Sequence, residues 1–170
     1  MSEMKIWKET GFVTDDPWQV AGEDQSADAN AKLLLPLAQY LELDDTDRRP
    51  ESTGVILEPA DEVSQLEPFL DRLALIAVTF PVFNDGRAYS QGSLLRERLG
   101  FDGELRAMGD VLIDQVPLML RCGIDSFAVT NGTAIKRLSE GHLPGIDSYY
   151  QPAAVPSRST GSYAWRSIGA

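Results

Sequence analysis

Two carboxylates at a four-residue spacing, Asp110 and Asp114, are the first candidates for chemistry in this 170-residue chain. If both stand on one helix, their side chains share a face, where mutual repulsion favours a proton on one of them. Such a pair could act as acid and base, or could hold a hard divalent cation. The structural alternative is that Asp110 caps the following helix and that Asp114 pairs with Arg106 or Arg121. We take Asp110 and Asp114 as the candidate catalytic residues.

Arg87 and a short turn at residues 131–133 carry groups that bind anions. A guanidinium can hold an oxyanion by two parallel hydrogen bonds. In the turn, Asn131 and Thr133 flank a glycine at the start of a predicted helix, where free backbone N–H groups form a nest for negative charge. Asn131 is equally suited to cap that helix. Asp85 belongs to Asn-Asp-Gly, which is a common turn signal.

Apolar runs and turn signals alternate through the middle of the chain and predict repeated βα units. Continuous apolar runs predict strands at residues 54–58, 73–80, 104–108 and 125–129. Caps and periodicity predict helices at residues 61–72, 90–99, 111–121 and 133–140. The connections are too long for hairpins, so the pattern specifies right-handed crossovers and a parallel sheet. The predicted fold is therefore α/β, with an open parallel sheet or a partial barrel, because a complete eight-fold barrel needs about 250 residues.

The carboxyl ends of three predicted strands carry the candidate residues. In a parallel α/β sheet, ligands collect beyond these ends because loops and helix N-termini converge there. The ends fall at Phe80, Met108 and Val129. If the order of strands makes these ends neighbours, the polar side chains that follow them face one volume.

The two ends of the chain differ from this middle part. Residues 1–31 read as a polar segment with a hairpin that turns at Asp-Asp-Pro, residues 15–17, and residues 143–170 read as an irregular tail; the α/β domain spans residues 32–142. Pro36 is expected to be the first residue of a helix. Pro117, inside a predicted helix, should cause a kink or a shortened first turn.

The excess negative charge lies entirely in the first half of the chain. Residues 1–79 carry 6 basic and 17 acidic side chains, whereas residues 80–170 carry 9 of each. Two interpretations stay open: a solvated face that gives solubility, or a docking surface for a basic partner. Nucleic acid is disfavoured as a partner because phosphate contacts require a basic footprint. We expect a cytoplasmic protein that does not enter membranes, because the sequence contains neither an 18-residue apolar run nor a signal-peptide pattern.

The chain holds one cysteine, Cys122, and one histidine, His142. An intrachain disulfide or a Cys/His site for zinc or an iron–sulfur cluster cannot form from this set. The glycines follow neither a dinucleotide-binding nor a P-loop pattern. We therefore expect no metal and no cofactor. We also expect Cys122 to be a packing residue. Arg96, Glu97 and Arg98 are expected on a solvent-exposed helix face, although Arg96 could instead pair inward with Asp85.

Three continuous blocks, FPVFNDGRAYS, LLRERLGFDGELRAMGDVLIDQ and RCGIDSF, resemble a family of small bacterial proteins of unassigned function. Its genes usually lie beside that of assimilatory sulfite reductase, and its members are described as oxidoreductases of sulfite reduction. The resemblance is close over residues 74–127 and implies a role in sulfur assimilation. By carry-over of the blocks, it marks as site positions Asp85, Gly86, Arg87, Tyr89, Ser90, Gly109, Asp110, Asp114 and Gln115.

The description of the resembled family as oxidoreductases does not say which group would carry the electrons. Protein side chains perform redox catalysis only with a thiol pair, and otherwise a cofactor or metal must be bound. We therefore expect an accessory protein that acts with or on sulfite reductase, and whether it is itself an enzyme stays open. The alternative is a small enzyme or binding protein for a sulfur oxyanion or a phosphorylated metabolite. A homodimer, in which a second copy completes a partial barrel, is compatible with either function.

Overall fold

The structure is a computed structural model that describes residues 4–22, 32–82 and 84–144. One sheet contains eight strands in the order β2-β1-β8-β7-β6-β5-β4-β3. The strands are β1 (Lys5–Lys8), β2 (Gly11–Phe12), β3 (Trp18–Val20), β4 (Lys32–Pro36), β5 (Thr53–Leu57), β6 (Leu75–Phe80), β7 (Glu104–Gly109) and β8 (Ser126–Val129). The helices are α1 (Leu37–Glu42), a 3₁₀ helix (Val63–Arg72), α2 (Arg87–Ser93) with a π-helical continuation (Leu94–Arg98), α3 (Val116–Arg121) and α4 (Gly132–Ser139). Except for its first two positions, the tail predicted at residues 143–170 lies outside the described residues.

Strands β3 to β8 run parallel, and each pairs with the next one along the chain. Strand β1 joins β8 antiparallel, and β2 joins β1 antiparallel. The sheet is open and strongly curled, so that it forms a half-barrel. The predicted α/β fold, an open parallel sheet or a partial barrel, is confirmed. Among the described residues, no helix is long and apolar enough to cross a membrane.

The two faces of the sheet have different partners. Alternate strand residues, such as Ile76, Val78 and Phe80 of β6, join the helices in one large apolar core on the convex face. The residues between them, such as Leu75 and Ala77, point to the concave face and form a second, smaller apolar cluster. The period of two along each strand therefore separates a helix-covered face from a face enclosed by the curl.

The first three strands do not form the predicted hairpin. Strand β2 pairs with β1, with Trp7 opposite Phe12, whereas β3 pairs with β4 at the opposite edge of the sheet. Six residue steps from Phe12 to Trp18 can span at most about 22 Å. Seven strand intervals in a flat sheet would separate these edges by about 34 Å. Residues 13–17 therefore cross from edge to edge, and this short crossing is compatible only with a curled sheet.

Several helices begin or wind differently from the prediction. The helix predicted at residues 61–72 is the 3₁₀ helix, with Pro68 inside it. Pro117 lies in the first turn of α3, where a missing N–H costs nothing, so the helix begins at Val116 and is not kinked. Pro36 ends β4 and precedes α1 as its N-cap residue, so it is not the first helical residue.

Candidate functional site

The three strand ends that carry the predicted site are neighbours, since β6, β7 and β8 are adjacent in the sheet. Phe80 stands opposite Gly109, and the Asp110 N–H donates to the Phe80 carbonyl over 2.7 Å. Gly109 has a φ of +94°, and a Cβ at this position would collide with the Phe80 carbonyl oxygen. The loops that follow β6 and β7 are thus tied together at a point where only glycine fits.

Arg87 is held by Asp85 inside its own loop. The Arg87 Nε and Nη2 atoms donate to the two carboxylate oxygens of Asp85 over 3.0 and 2.7 Å. The Arg87 backbone N–H also donates to Asp85 over 3.1 Å, which orders the start of α2. The hydrogen bonds from Arg87 lower the pKa of the Asp85 carboxyl, and those bonds raise the pKa of Arg87. An external anion would therefore compete with Asp85 for this guanidinium. Gly86, between them, has ordinary helical backbone angles.

Asp110 and Asp114 do not share a helix face, because α3 begins only at Val116. Both side chains are exposed, in the irregular segment that connects β7 to α3. Asp114 lies near the Tyr89 hydroxyl: burial is the main cause that raises the pKa of Tyr89, and the charges of Cys122 and Asp114 add to it. The expectation that Asp110 and Asp114 share one helix face was wrong. Their role as acid and base stays a prediction.

The turn after β8 caps α4, which is the role that the sequence offered as an alternative to anion binding. The Asn131 side chain accepts a hydrogen bond from the Ala134 N–H over 3.1 Å, so it caps the helix. Thr133 is exposed in the first turn of α4. Gln115 is the N-cap residue of α3 and is half-buried. Asn131 is therefore engaged in capping α4, and the Gln115 carbonyl accepts the Met119 N–H over 3.0 Å at the start of α3.

Two grooves run along the sides of α2 and share Ser90 and Leu94. The first, of about 480 Å³, is lined by Tyr89, Ser90, Ser93, Leu94, Glu97, Arg98 and Cys122. The second, of about 320 Å³, lies beside the 3₁₀ helix and is lined by Pro59, Ala60, Asp61, Glu62, Val63, Arg87, Ser90, Gln91 and Leu94. Three predicted site residues therefore flank open space: Tyr89 in the first groove, Arg87 in the second, and Ser90 in both. The structure does not bring Asp110 or Asn131 into either groove.

Cys122 lines the first groove. Burial raises its pKa, although a hydrogen bond with Ser93 and the charge of Arg121 act in the opposite direction. A raised pKa lowers the thiolate fraction and hence the reactivity. In the described part of the chain, no three His, Cys, Asp or Glu side chains are grouped so as to hold a metal ion.

Sequence reasoning missed Gln91, which is only 6% exposed. Its amide nitrogen donates to the carbonyls of Glu58 over 2.8 Å and Asp61 over 3.2 Å, which joins α2 to the loop after β5. The amide can face these two acceptors only with its NH₂ group, so the orientation is fixed. A glutamine within a helix gives no local sign of burial, and the sequence held no signal that could have found it.

A buried ionic cluster on the concave face was also missed. Arg106 is 2% exposed and donates to both oxygens of Asp16, over 2.7 and 2.9 Å. Its other edge donates to Glu104, which also accepts bonds from Lys8 and Ser126 over 2.7 Å each. Burial alone would raise the pKa of Glu104, but the bonds from Lys8 and Ser126 and the charge of Arg106 outweigh it and lower the pKa. Asp16 and Arg106 are 90 positions apart in the sequence, so no local pattern marks this pair.

A protein-family model described as a bacterial protein of unknown function, DUF934, matches residues 54–160. The match covers more than half of the chain, so the chain belongs to this family. The matched region begins in β5 and includes the grooves beside α2 and the neighbouring strand ends. No curated protein matches the chain.

Proposed function

We propose that this DUF934 protein is an accessory protein of assimilatory sulfite reduction, which docks on sulfite reductase through an acidic surface. The choice of partner rests on the resemblance of the blocks in residues 74–127, whose family is encoded beside that enzyme. The docking mode rests on one observation: residues 37–73 carry ten acidic side chains and three basic ones, and Asp45 joins the loop after α1 to the 3₁₀ helix through Arg72. In this role the protein acts by binding to the enzyme, without a redox group of its own.

The acidic face consists of exposed carboxylates on α1, the loop that follows it and the 3₁₀ helix. Its members are Glu42, Asp44, Asp45, Asp47, Glu67 and Asp71. Arg72 and Arg48 each bind Asp45 over 3.0 Å. Arg48 is 10% exposed and lies over the rings of Tyr40 and Phe69, at 5.6 and 4.6 Å. The loop is therefore fastened to both helices, and the carboxylates are held on a packed base.

A clustered negative surface supports docking through its long-range field. Complementary charge raises the rate of encounter and fixes orientation, and salt screens it over about 10 Å at 0.1 M ionic strength. Ten acidic and three basic side chains give residues 37–73 a net charge of −7. A basic surface on the partner would complete the charge balance.

The test compares two double variants with the same change in charge. Asp47→Lys with Asp71→Lys alters the acidic face, and Glu9→Lys with Asp102→Lys alters exposed carboxylates elsewhere. Tagged protein is incubated with purified sulfite reductase, and the affinity is measured at low and moderate salt. We expect the first variant to weaken binding by at least about tenfold and the second to leave it close to wild type. No binding by the wild type, or equal weakening by both variants, would reject the proposal.

The second candidate function is a small enzyme or binding protein for a sulfur oxyanion or a phosphorylated metabolite. The observation that favours it is the position of Arg87 and Ser90 in the groove beside the 3₁₀ helix, next to the neighbouring ends of β5 and β6. Carboxyl ends of parallel strands are where ligands gather. Titration of the protein with sulfite, sulfate and phosphate, followed by calorimetry, tests this function directly. Saturable binding that Arg87→Ala weakens would favour it over the docking role.

A further inference from the structure

The concave face of the sheet is divided into an apolar half and an ionic half. The apolar half, on β4, β5 and β6, consists of Leu34, Ile56, Leu75 and Ala77. The ionic half, on β7, β8 and β1, contains Glu104, Arg106, Ser126 and Lys8, whereas Met108 of β7 packs against the apolar half. The two halves meet in the register of neighbouring strands, where Ala77 stands opposite Arg106.

Residues 13–18 cross this face from β2 at one edge to β3 at the other. Asp16 reaches the ionic half, where it binds Arg106. Trp18 packs on the apolar half, and its ring would stand 3.1 Å from a Cβ at Gly54. Gly54 therefore leaves the space in which the ring lies. A carboxylate and an aromatic ring two residues apart thus match the ionic and the apolar half of the surface that they cover.

The charge balance of the ionic half depends on Asp16. Lys8 and Arg106 supply two positive charges, and Glu104 supplies one negative charge. Without Asp16, one positive charge would be left uncompensated around an arginine that is 2% exposed. Removing one partner of a buried ion pair is strongly destabilising for this reason.

The backbone of the crossing segment is fastened mainly at its ends. The Val13 N–H donates to the Ile6 carbonyl over 2.8 Å, and the Pro17 carbonyl accepts from the Lys32 N–H over 3.2 Å. Between these points, in the described part of the chain, the Asp16 side chain makes the connection to the sheet. A segment with few backbone bonds and one ionic contact can open locally while the strands beneath it stay paired.

We propose that residues 13–18 are a releasable strap that holds the half-barrel curled, and that Asp16 is its lock on Arg106. Release of the lock lifts the strap from the concave face, together with Trp18 at the start of β3, and leaves β4 to β8 paired. The strap is independent of the acidic face, so this inference does not rest on the proposed docking function.

Hydrogen exchange of the full chain tests the strap, with Asp16→Ala compared with Asp15→Ala. Asp15 is its exposed neighbour, so the control removes the same charge from the same segment. In Asp16→Ala, we expect exchange of peptides from residues 11–21 to rise by about tenfold or more, with β6 unchanged. Equal exchange in the two variants would overturn the proposal. So would a rise in β6 that matches the rise in the strap, because the pair would then only stabilise the whole fold.

Two further measurements keep the test decisive if Asp16→Ala folds poorly. Formate, a small carboxylate, should occupy the vacated position on Arg106 and raise the thermal stability of Asp16→Ala more than chloride does at equal ionic strength. It should have no such effect on Asp15→Ala. In the wild type, the amides of Val13 and Ala21, both hydrogen-bonded, should exchange through openings that are insensitive to low denaturant, unlike those of β6. Exchange of these amides only through global unfolding, or no difference between formate and chloride, contradicts a releasable strap.

Discussion

Arg96 and Asp125 are joined by a bond of 2.8 Å between Nη2 and Oδ2, which links the π-helical continuation of α2 to the start of β8. The Arg96 Nε donates to the backbone carbonyl of Gly123, and its Nη1 donates to those of Phe101 and Gly103. The side chain is only 17% exposed. One guanidinium therefore satisfies three backbone acceptors and one carboxylate, in a region where the sequence predicted a solvent-exposed face.

The first prediction concerns the stability that Arg96 supplies. Arg96→Ala should lower the free energy of unfolding by about 2–4 kcal/mol, since it leaves several partly buried acceptors without a donor. Arg98→Ala, at an exposed position two residues along, should change it by less than about 0.5 kcal/mol. Urea unfolding of both variants measures the difference. Similar values for the two variants would show that the carbonyls of Gly103 and Gly123 find other donors.

The second prediction separates two glycines that sequence reasoning treated alike. A Cβ at Gly109 would collide with the Phe80 carbonyl oxygen, and its φ of +94° is unfavourable for other residues. Gly109→Ala should therefore cost about 2–4 kcal/mol. Gly86 has a φ of −83° and open space around it, so Gly86→Ala should stabilise the fold by about 0.4–1 kcal/mol. Thermal and urea unfolding check both signs, and a loss of stability in Gly86→Ala would contradict the prediction.

The comparison of these glycines shows what sequence can reveal about this fold. Buried strands appear in a sequence as continuous apolar runs, so β5 to β8 and their parallel direction were predictable, whereas the order of the strands in the sheet was not. The paths of the first three strands were not, because the Asp16–Arg106 pair spans 90 residues and leaves no periodic signal. Arg96 was expected on a solvent-exposed face or paired inward with Asp85, and its actual partner, Asp125, is not revealed by its neighbours along the chain. Gly86 and Gly109 differ in φ and in whether the Phe80 carbonyl lies where a Cβ would be, and neither property can be read from the sequence.

The third prediction is the acid sensitivity of Glu104. Its pKa is lowered in the folded state below the ordinary value of 4.5, so its contribution to stability is complete above that value. The contribution is lost as the pH falls through the lower, folded value, because the unfolded chain then binds the proton more readily. Urea unfolding at a series of pH values between about 3 and 6 should show a steeper loss for wild type than for Glu104→Gln. Asp102→Asn, at an exposed carboxylate, should keep the wild-type slope, and an unchanged slope in Glu104→Gln would contradict the assignment.

The fourth prediction concerns the competition between Asp85 and an external anion for Arg87. If the groove beside the 3₁₀ helix binds sulfite, sulfate or phosphate, Arg87→Ala should weaken the affinity by at least about tenfold, the loss of one hydrogen bond to a charged group. Arg137→Ala, which removes an exposed arginine of α4 outside the groove, should leave the affinity unchanged. Asp85→Asn should strengthen binding, because it removes the charge that now holds the guanidinium. Calorimetric titration of the three variants distinguishes these outcomes. Weaker binding in Asp85→Asn would mean that the carboxylate orients Arg87 toward the anion, so that Asp85 would not compete with it.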